Sequence, residues 1–472
     1  MQRLSLTRLV LVLSAMFVLA FVAFVSVPKS SGTSGGGVVL PVATARGATL
    51  PLVSALDWLP RNPVRDGSVD YTVNIQAALD AAAGSTLILP DFPVRVSKRS
   101  GTTHCLLVRK PIEIRGTISS QLVEVQGASQ ILRIENVKGV RLSGFTLKGR
   151  GGQGIGLAHG ILQVFGGEDI TIEDVTAIDS DADGIVIADA KRVSIRNCRT
   201  IRTSKSGLYL SRCVGGIVAD NLVEEGVGHR TGQGALVGTG IQLSSCTDIT
   251  CTGNVVRNGV GIGILLDANS TGVAPTGCAI VANRVSGWRN TLNPDVSSGI
   301  RLQNSAVEKR TRSLVAANTI ERCGTHGIYI ENQDGVSVLG NTVISSDRSS
   351  ICISTSRGAH VFSNVVQDPD AGNTGSQAGL HLINGAAGVV AQGNRIEARV
   401  TSPYVPSVHD QSTGGGNSIE PQQRRANAPP ASGLWARGDT VWNTEPWPGA
   451  PLGWVCSSAG TPGVWSAFGR IE

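Results

Sequence analysis

The sequence predicts an all-β chain folded as a single-stranded right-handed parallel β-helix, and three observations carry that prediction. The first is repetition with drift between residues 131 and 398, where short segments read GIVI, GLYL, GIQL, GIRL, GIYI and GLHL. The second is a later β segment, roughly a dozen residues on, that ends near Asn or Asp. Its markers are Asp174, Asn197, Asn221, Asn254, Asn283, Asn318, Asn341, Asn364 and Asn394, spaced by 23, 24, 33, 29, 35, 23, 23 and 30 residues. The third is an apolar period of two inside each segment, which excludes heptads and helical hairpins. A repeat near 23 with longer insertions marks a solenoid whose rungs share one cross-section, with loops bulging from selected corners.

Alternation assigns the faces. In GLYL at 207 to 210, Leu208 and Leu210 point inward and Tyr209 outward. The same count stacks Ile185 and Ile187, Ile241 and Leu243, Ile300 and Leu302, and Ile328 and Ile330 in interior rows. The recurring Asn suits a turn where a short amide satisfies backbone groups or tolerates left-handed geometry, so it reads as a ladder residue rather than a catalytic one. The Gly before each strand reads as a tight corner and not as a phosphate-binding loop.

Composition agrees. Gly is abundant at 59 residues, aromatics make up 4% and charged residues 16% of the 472 positions. A doubly wound fold would need a regular supply of crossover helices, which this profile does not offer. The net charge of +6 suits an acidic glycan. There is no dense Lys/Arg run, so nucleic acid is not expected as a partner.

Residues 1–29 hold Arg3, Arg8 and an apolar run from 9 to 27, followed by Pro28 and Lys29. A cleaved secretion signal and an uncleaved N-terminal membrane anchor both fit. Either engages membrane insertion or secretion machinery and sends the repeats outside the cytoplasm. Residues 30–59, opening on SSGTSGGG, read as a flexible linker. Nine cysteines, at 105, 198, 213, 246, 251, 278, 323, 352 and 456, lack compact CxxC pairs or clustered His ligands. Core or ladder cysteines with one or two disulfides are expected.

Ahead of the repeats, TVNIQAALDAAA at 72 to 83 sets Ile75, Ala78, Leu79 and Ala82 on one helical face, with Thr72 or Asn74 as its cap. Gly84 stops the helix and TLILP at 86 to 90 begins a strand. A capping helix is expected where a solenoid end would expose strand edges. The run Asp66-Gly67-Ser68-Val69-Asp70-Tyr71-Thr72, then the helix, then Thr86-Leu87-Ile88-Leu89-Pro90 resembles the beginning of the pectate-lyase-like family. Tyr71 stands where members usually carry a second Asp. GIYIENQDGVSVLGNTVISS at 327 to 346 resembles that family's generic β-helix repeat. The resemblance covers about residues 60–398 and implies the fold of polysaccharide lyases, glycoside hydrolases and phage tailspike domains. It does not imply one reaction. The paired-Asp, Gly-His-Gly and Arg-x-Lys signatures of polygalacturonases are absent.

The densest polar cluster joins His159, Asp179, Asp181 and Asp183 of DSDADG, and Lys205. Aligning Ile161, Ile185 and Leu208 puts His159, Asp183 and Ser206 in one corner column. Asp181 as acid and Asp183 as base or nucleophile would serve hydrolysis. Lys205 or His159 as base, with Arg212 or Lys205 neutralising a uronate, would serve elimination or epimerisation. A solvated turn or a Ca²⁺-binding turn is the alternative, and Ca²⁺ is the one cofactor the residues suggest. Outward Tyr209, Gln242, Arg301, Tyr329 and His381 extend a face able to grip an extended sugar. Asp267 and Glu331 are reserve carboxylates immediately after strands.

Beyond the repeats, residues 399–432 read as a linker or irregular cap and 433–472 as a small Trp-rich module with five of the seven tryptophans. The expected function is an exported carbohydrate-active protein cleaving an extended acidic polysaccharide by lysis or hydrolysis. A glycan-binding adhesin or surface scaffold, and a uronate epimerase, are the alternatives. Oligomeric state is left open.

Overall fold

The computed structural model describes residues 51–472 except 128–129, 153–159, 231–235, 269–271, 291, 293–296, 307, 370, 372–377, 398–407, 422, 432–434 and 461. The described chain is a right-handed parallel β-helix with one N-terminal helix and a small C-terminal mixed sheet. Each rung contributes strands to three faces, and every strand pairs in parallel with its counterpart one rung on.

The first face shows why alternation was enough to place the core. Ile185 pairs with Leu208, Leu208 with Ile241, Ile241 with Ile264, Ile264 with Ile300, Ile300 with Ile328, and Ile328 with Ile351. These side chains are fully buried or within 1% of it. The ladder runs past the last sequence repeat, since Leu380 pairs with Val408 and Val390 with Ser418.

The second and third faces meet at an amide ladder. Asn221, Asn254, Asn283, Asn318, Asn341, Asn364 and Asn394 stack so that each Oδ1 accepts from the backbone N–H and the Nδ2 of the Asn one rung earlier, as Asn283 does for Asn254 at 3.0 and 2.8 Å. The residue before each takes the left-handed conformation, among them Asp220 at φ 57° and Ala282 at φ 56°. Asp174 and Asn197 occupy that left-handed position instead, at φ 53° and 51°. They therefore stand one residue ahead of the ladder, where Cys198 takes the amide's place and donates its N–H to Asn221 Oδ1 at 2.9 Å.

The glycines opening the first-face strands serve packing rather than a tight corner. A Cβ on Gly207 would lie 2.5 Å from Val223 Cγ1, and one on Gly327 2.8 Å from both Ser346 Oγ and the Ser350 carbonyl oxygen. They let the third face pack close against the first.

At the N-terminal end the helix Thr72–Ala81 buries Ile75, Ala78 and Leu79, with Ala82 beside them. Its cap differs from the expectation. Tyr71 is the capping position, and Asp70 Oδ1 accepts the Thr72 N–H at 2.8 Å and the Thr72 hydroxyl at 2.5 Å. Set before the first turn, the Asp70 carboxylate reaches free donors that Thr72 and Asn74, inside it, do not, and Asn74 Nδ2 bonds the Trp58 carbonyl instead.

Two further expectations are corrected. All nine cysteines are free and buried, so the disulfides are withdrawn. Among the described residues no helix is long and apolar enough to cross a membrane, and the membrane anchor with its insertion partner is withdrawn. Residues 1–29, to which that reading was assigned, lie outside the described residues. The C-terminal sheet comprises Gln423–Ala426, Thr440–Asn443, Pro451–Ser458 and Val464–Arg470. Its small core is Trp435, Val441 and Cys456, with Ala426, Trp454 and Trp465 packed partly against it.

Candidate functional site

The outward side of the first face carries the chemistry. Parallel register turns one outward position per rung into a continuous row: Arg133, Gln163, Val186, Tyr209, Gln242, Leu265, Arg301, Tyr329, Cys352, His381 and His409. Tyr209, Gln242, Arg301, Tyr329 and His381 thus share one row, as alternation requires. A second outward row, two residues later, includes Ser211, Ser244, Asp267, Gln303 and Glu331.

A hydrogen-bonded path links two carboxyls, one buried and one half-buried, across these rungs. Asp183 Oδ1 accepts the Ser206 N–H at 2.7 Å. Ser206 Oγ donates to Gln242 Oε1 at 3.1 Å, and Gln242 Nε2 donates to Ser244 Oγ at 3.1 Å and to Asp267 Oδ2 at 3.2 Å. Ser244 Oγ closes the path on Asp267 Oδ1. Burial pushes both carboxyls up to about 6, because desolvation of the charged form outweighs the donors each receives. Their positions differ. Asp183 is 3% exposed and stands in the wall, whereas Asp267 is half-buried on the outward row.

The cations along the face are paired. Arg212 grips Asp189 with two bonds of 2.5 and 2.6 Å, and Arg133 meets Glu135 at 2.5 Å. With Gln130, Gln163, Phe165, Val186, Ala188, Tyr209 and Ser211 these two arginines line a groove of about 310 Å³. Farther along, Arg301 Nη2 meets Glu331 at 2.8 Å while its guanidinium lies 5.0 Å over the Tyr329 ring. His326 packs 5.0 Å from the same ring, and burial pushes its imidazole down to about 3. His381 bonds Ser349 Oγ at 3.0 Å and Gln411 at 2.9 Å and stacks on His409.

Of the predicted acid–base residues, Lys205 stands close enough to Asp183 to act on its charge. Asp181 and Lys205 are half-buried at the rim beside Asp183, and His159 lies outside the described residues. Asp183 pairs with Gly160, not with residue 159, and Ile185 pairs with Leu162 rather than Ile161. Ile161 and Leu162 are both buried, so the apolar run gave no alternation to fix that rung. The slip concealed Gln163 and Arg133, which belong to the Tyr209 row. For the Ca²⁺-turn alternative, Asp179 already accepts Arg202 Nε at 2.7 Å and Asp183 the Ser206 N–H. Among the described residues no group of three or more His, Cys, Asp or Glu is placed to hold a metal ion.

The right-handed parallel β-helix is an architecture shared with carbohydrate-active enzymes. This chain belongs to the right handed beta helix region family, whose profile matches residues 123–307 and 297–396, more than half of the chain. Similar solved structures include the A-modules of two mannuronan C-5 epimerases from Azotobacter vinelandii. AlgE4 gives 17% identity over 78% of this chain and 100% of that one with a TM-score of 0.55. AlgE6 gives 18% identity over 78% and 100% with a TM-score of 0.51. The catalytic unit of a Streptomyces thermodiastaticus GH87 alpha-1,3-glucanase gives 15% identity over 78% and 68% with a TM-score of 0.49. At these identities the likeness concerns the fold alone. No curated protein sequence matches the chain.

Proposed function

We propose that the protein is a carbohydrate-active enzyme that seats an extended polysaccharide along the first face and hydrolyses it with Asp267 and Glu331. The observation that carries this reading is the outward carboxyl of Asp267, pushed up to about 6 within its bonds to Gln242 and Ser244. Such a group keeps its proton up to about pH 6 and can give it to a glycosidic oxygen. Glu331 stands two rungs along the same row, through Gln303. At about 4.8 Å per rung the two backbones are about 9.6 Å apart, close to the upper end of the ~6.5–9.5 Å carboxyl spacing of inverting glycosidases. Asp267 is the acid in this assignment, and Glu331, paired with Arg301, directs the attacking water. Tyr209, Gln242, Arg301, Tyr329 and His381 form the sugar-binding row, with Asp181 and Lys205 at its rim. Asp183 supports the row through Ser206.

A second reading is proton abstraction beside a uronate carboxylate, by a lyase or an epimerase. It is favoured by the groove in which Tyr209 meets Arg133 and Arg212. One incubation with uronate-containing and neutral glycans separates the readings. New reducing ends without unsaturated products, lost in Asp267→Asn and reduced at least about 100-fold in Glu331→Gln, are expected. Unsaturated or epimerised products that survive in Asp267→Asn and vanish in Tyr209→Phe would replace hydrolysis by the second reading. Saturable binding with no product would leave a glycan-binding adhesin.

A further inference from the structure

We propose that the C-terminal sheet carries a second glycan site, separate from the first-face row, formed by Trp442, Phe468 and Arg425 and taking an acidic sugar. The inference rests on the reading that the polymer is a glycan and adds a place where it is held.

The two sides of this sheet are unlike. Val441 and Cys456 turn inward to Trp435, so alternation turns Trp442 the other way. Register then sets Arg425 beside Trp442, Trp442 beside Gly453, and Gly453 beside Phe468 on that outer side. The Trp442 and Phe468 rings meet edge to face at 5.3 Å across the glycine. A Cβ on Gly453 would lie 2.8 Å from Phe468 Cζ, so the missing side chain lets the rings meet. Trp442 remains 42% exposed.

What covers the rings follows from charge. Arg425 is exposed and makes no hydrogen bond or ion pair among the described residues. The arginines of the first face, by contrast, each have a carboxylate. Ser466 and Arg470 share the outer side by alternation; Glu397 and Glu420 line the cavity that Arg425 borders, but Glu397 pairs with Arg395 and Glu420 accepts the Gly393 N–H. An indole face, a planar cation with no ion pair among the described residues and a hydroxyl at the margin match a sugar ring that offers C–H bonds on one side and a carboxylate at its edge.

Outside the terminal module the tryptophans are Trp58 and the fully buried Trp288, neither of them in the first-face rows, so an emission change lost in Trp442→Ala belongs to the C-terminal sheet. The test titrates the intact Asp267→Asn protein with short oligogalacturonate, oligomannuronate and neutral oligoglucan. A saturable emission change with a uronate and none with the glucan is expected. It should vanish in Trp442→Ala, weaken about tenfold in Arg425→Ala, and persist in Tyr209→Ala. Because Arg425 is exposed and unpaired, its variant tests the site without disturbing the small core. No uronate response, an equal response to glucan, or a response indifferent to Arg425→Ala overturns the proposal. Failure of the catalytic reading would show separately, as cleavage persisting in Asp267→Asn.

Discussion

Among single residues, the two carboxyls pushed up to about 6 make opposite use of the same burial. Asp267 looks outward, and its retained proton is chemically usable. Asp183 lies in the wall, and its proton is a matter of stability. A carboxyl whose folded value exceeds its unfolded one binds more protons when folded, so the fold loses stability as pH rises from about 4 to about 6. Asp183→Asn keeps an oxygen for the Ser206 N–H and carries no charge to desolvate. Thermal melts should therefore show the variant gaining on the wild type through that interval, by up to about 2–3 kcal/mol at pH 7. A constant difference from pH 4 to 7 would mean that Asp183 does not titrate in this range. Asp183 was legible from sequence as part of an acidic turn. Its burial was not, because burial depends on Ser206 one rung away.

In the rungs, the amide ladder converts a weak local preference into a cooperative one. Asn318 Oδ1 accepts two bonds from Asn283, and its Nδ2 donates to the Ile280 carbonyl at 2.8 Å and to Asn341 at 2.9 Å. Asn318→Ala would strand several buried partners at once, for a loss of about 3 kcal/mol or more. Asn394 ends the ladder half-buried: its Oδ1 accepts two bonds from Asn364 and its Nδ2 donates to the Val361 carbonyl at 2.7 Å, but it makes no onward amide bond. Its alanine variant strands fewer and less buried partners and should cost less, and denaturant midpoints of the two compare them directly. Equal losses would show that the ladder's interior has no special weight. The ladder from Asn221 onward was readable from the recurring Asn, but Asp174 and Asn197, read as its first members, stand one residue ahead of it. The interval of 24 between Asn197 and Asn221, beside the common 23, marks the step from the left-handed position to the ladder position. The first-face rows were equally readable wherever apolar and polar residues alternate. At Ile161-Leu162 two adjacent apolar residues are both buried, and pattern alone could not set the rung. Asp267 and Glu331 were visible only as carboxylates after strands, because nothing local distinguishes the Gln242 and Ser244 partners that raise one of them.

Across the whole molecule, a solenoid has no single centre, and each rung is stabilised mainly by the rungs on either side. Its ends are the vulnerable places. The N-terminal end is covered by the helix Thr72–Ala81. At the other end Leu380, Ile396, Val408 and Ile419 border a cavity of about 670 Å³ whose remaining wall includes Gln423 and Arg425 of the C-terminal sheet. The sheet therefore shields apolar side chains of the last rungs as well as presenting Trp442. Deleting residues 421–472 should expose that apolar wall while leaving the rungs that hold Tyr209 and Asp267 intact. Hydrogen exchange is expected to accelerate at least about tenfold in Leu380–Ile383 and Val408–Asp410, to fade over the preceding rungs, and to leave Ser206–Ser211 and Ile262–Asp267 unchanged. Cleavage of a soluble glycan should survive the deletion, whereas the uronate-dependent change in indole emission should not. Uniform acceleration along every rung would instead show that the solenoid unfolds as one unit, with the terminal sheet governing its stability throughout.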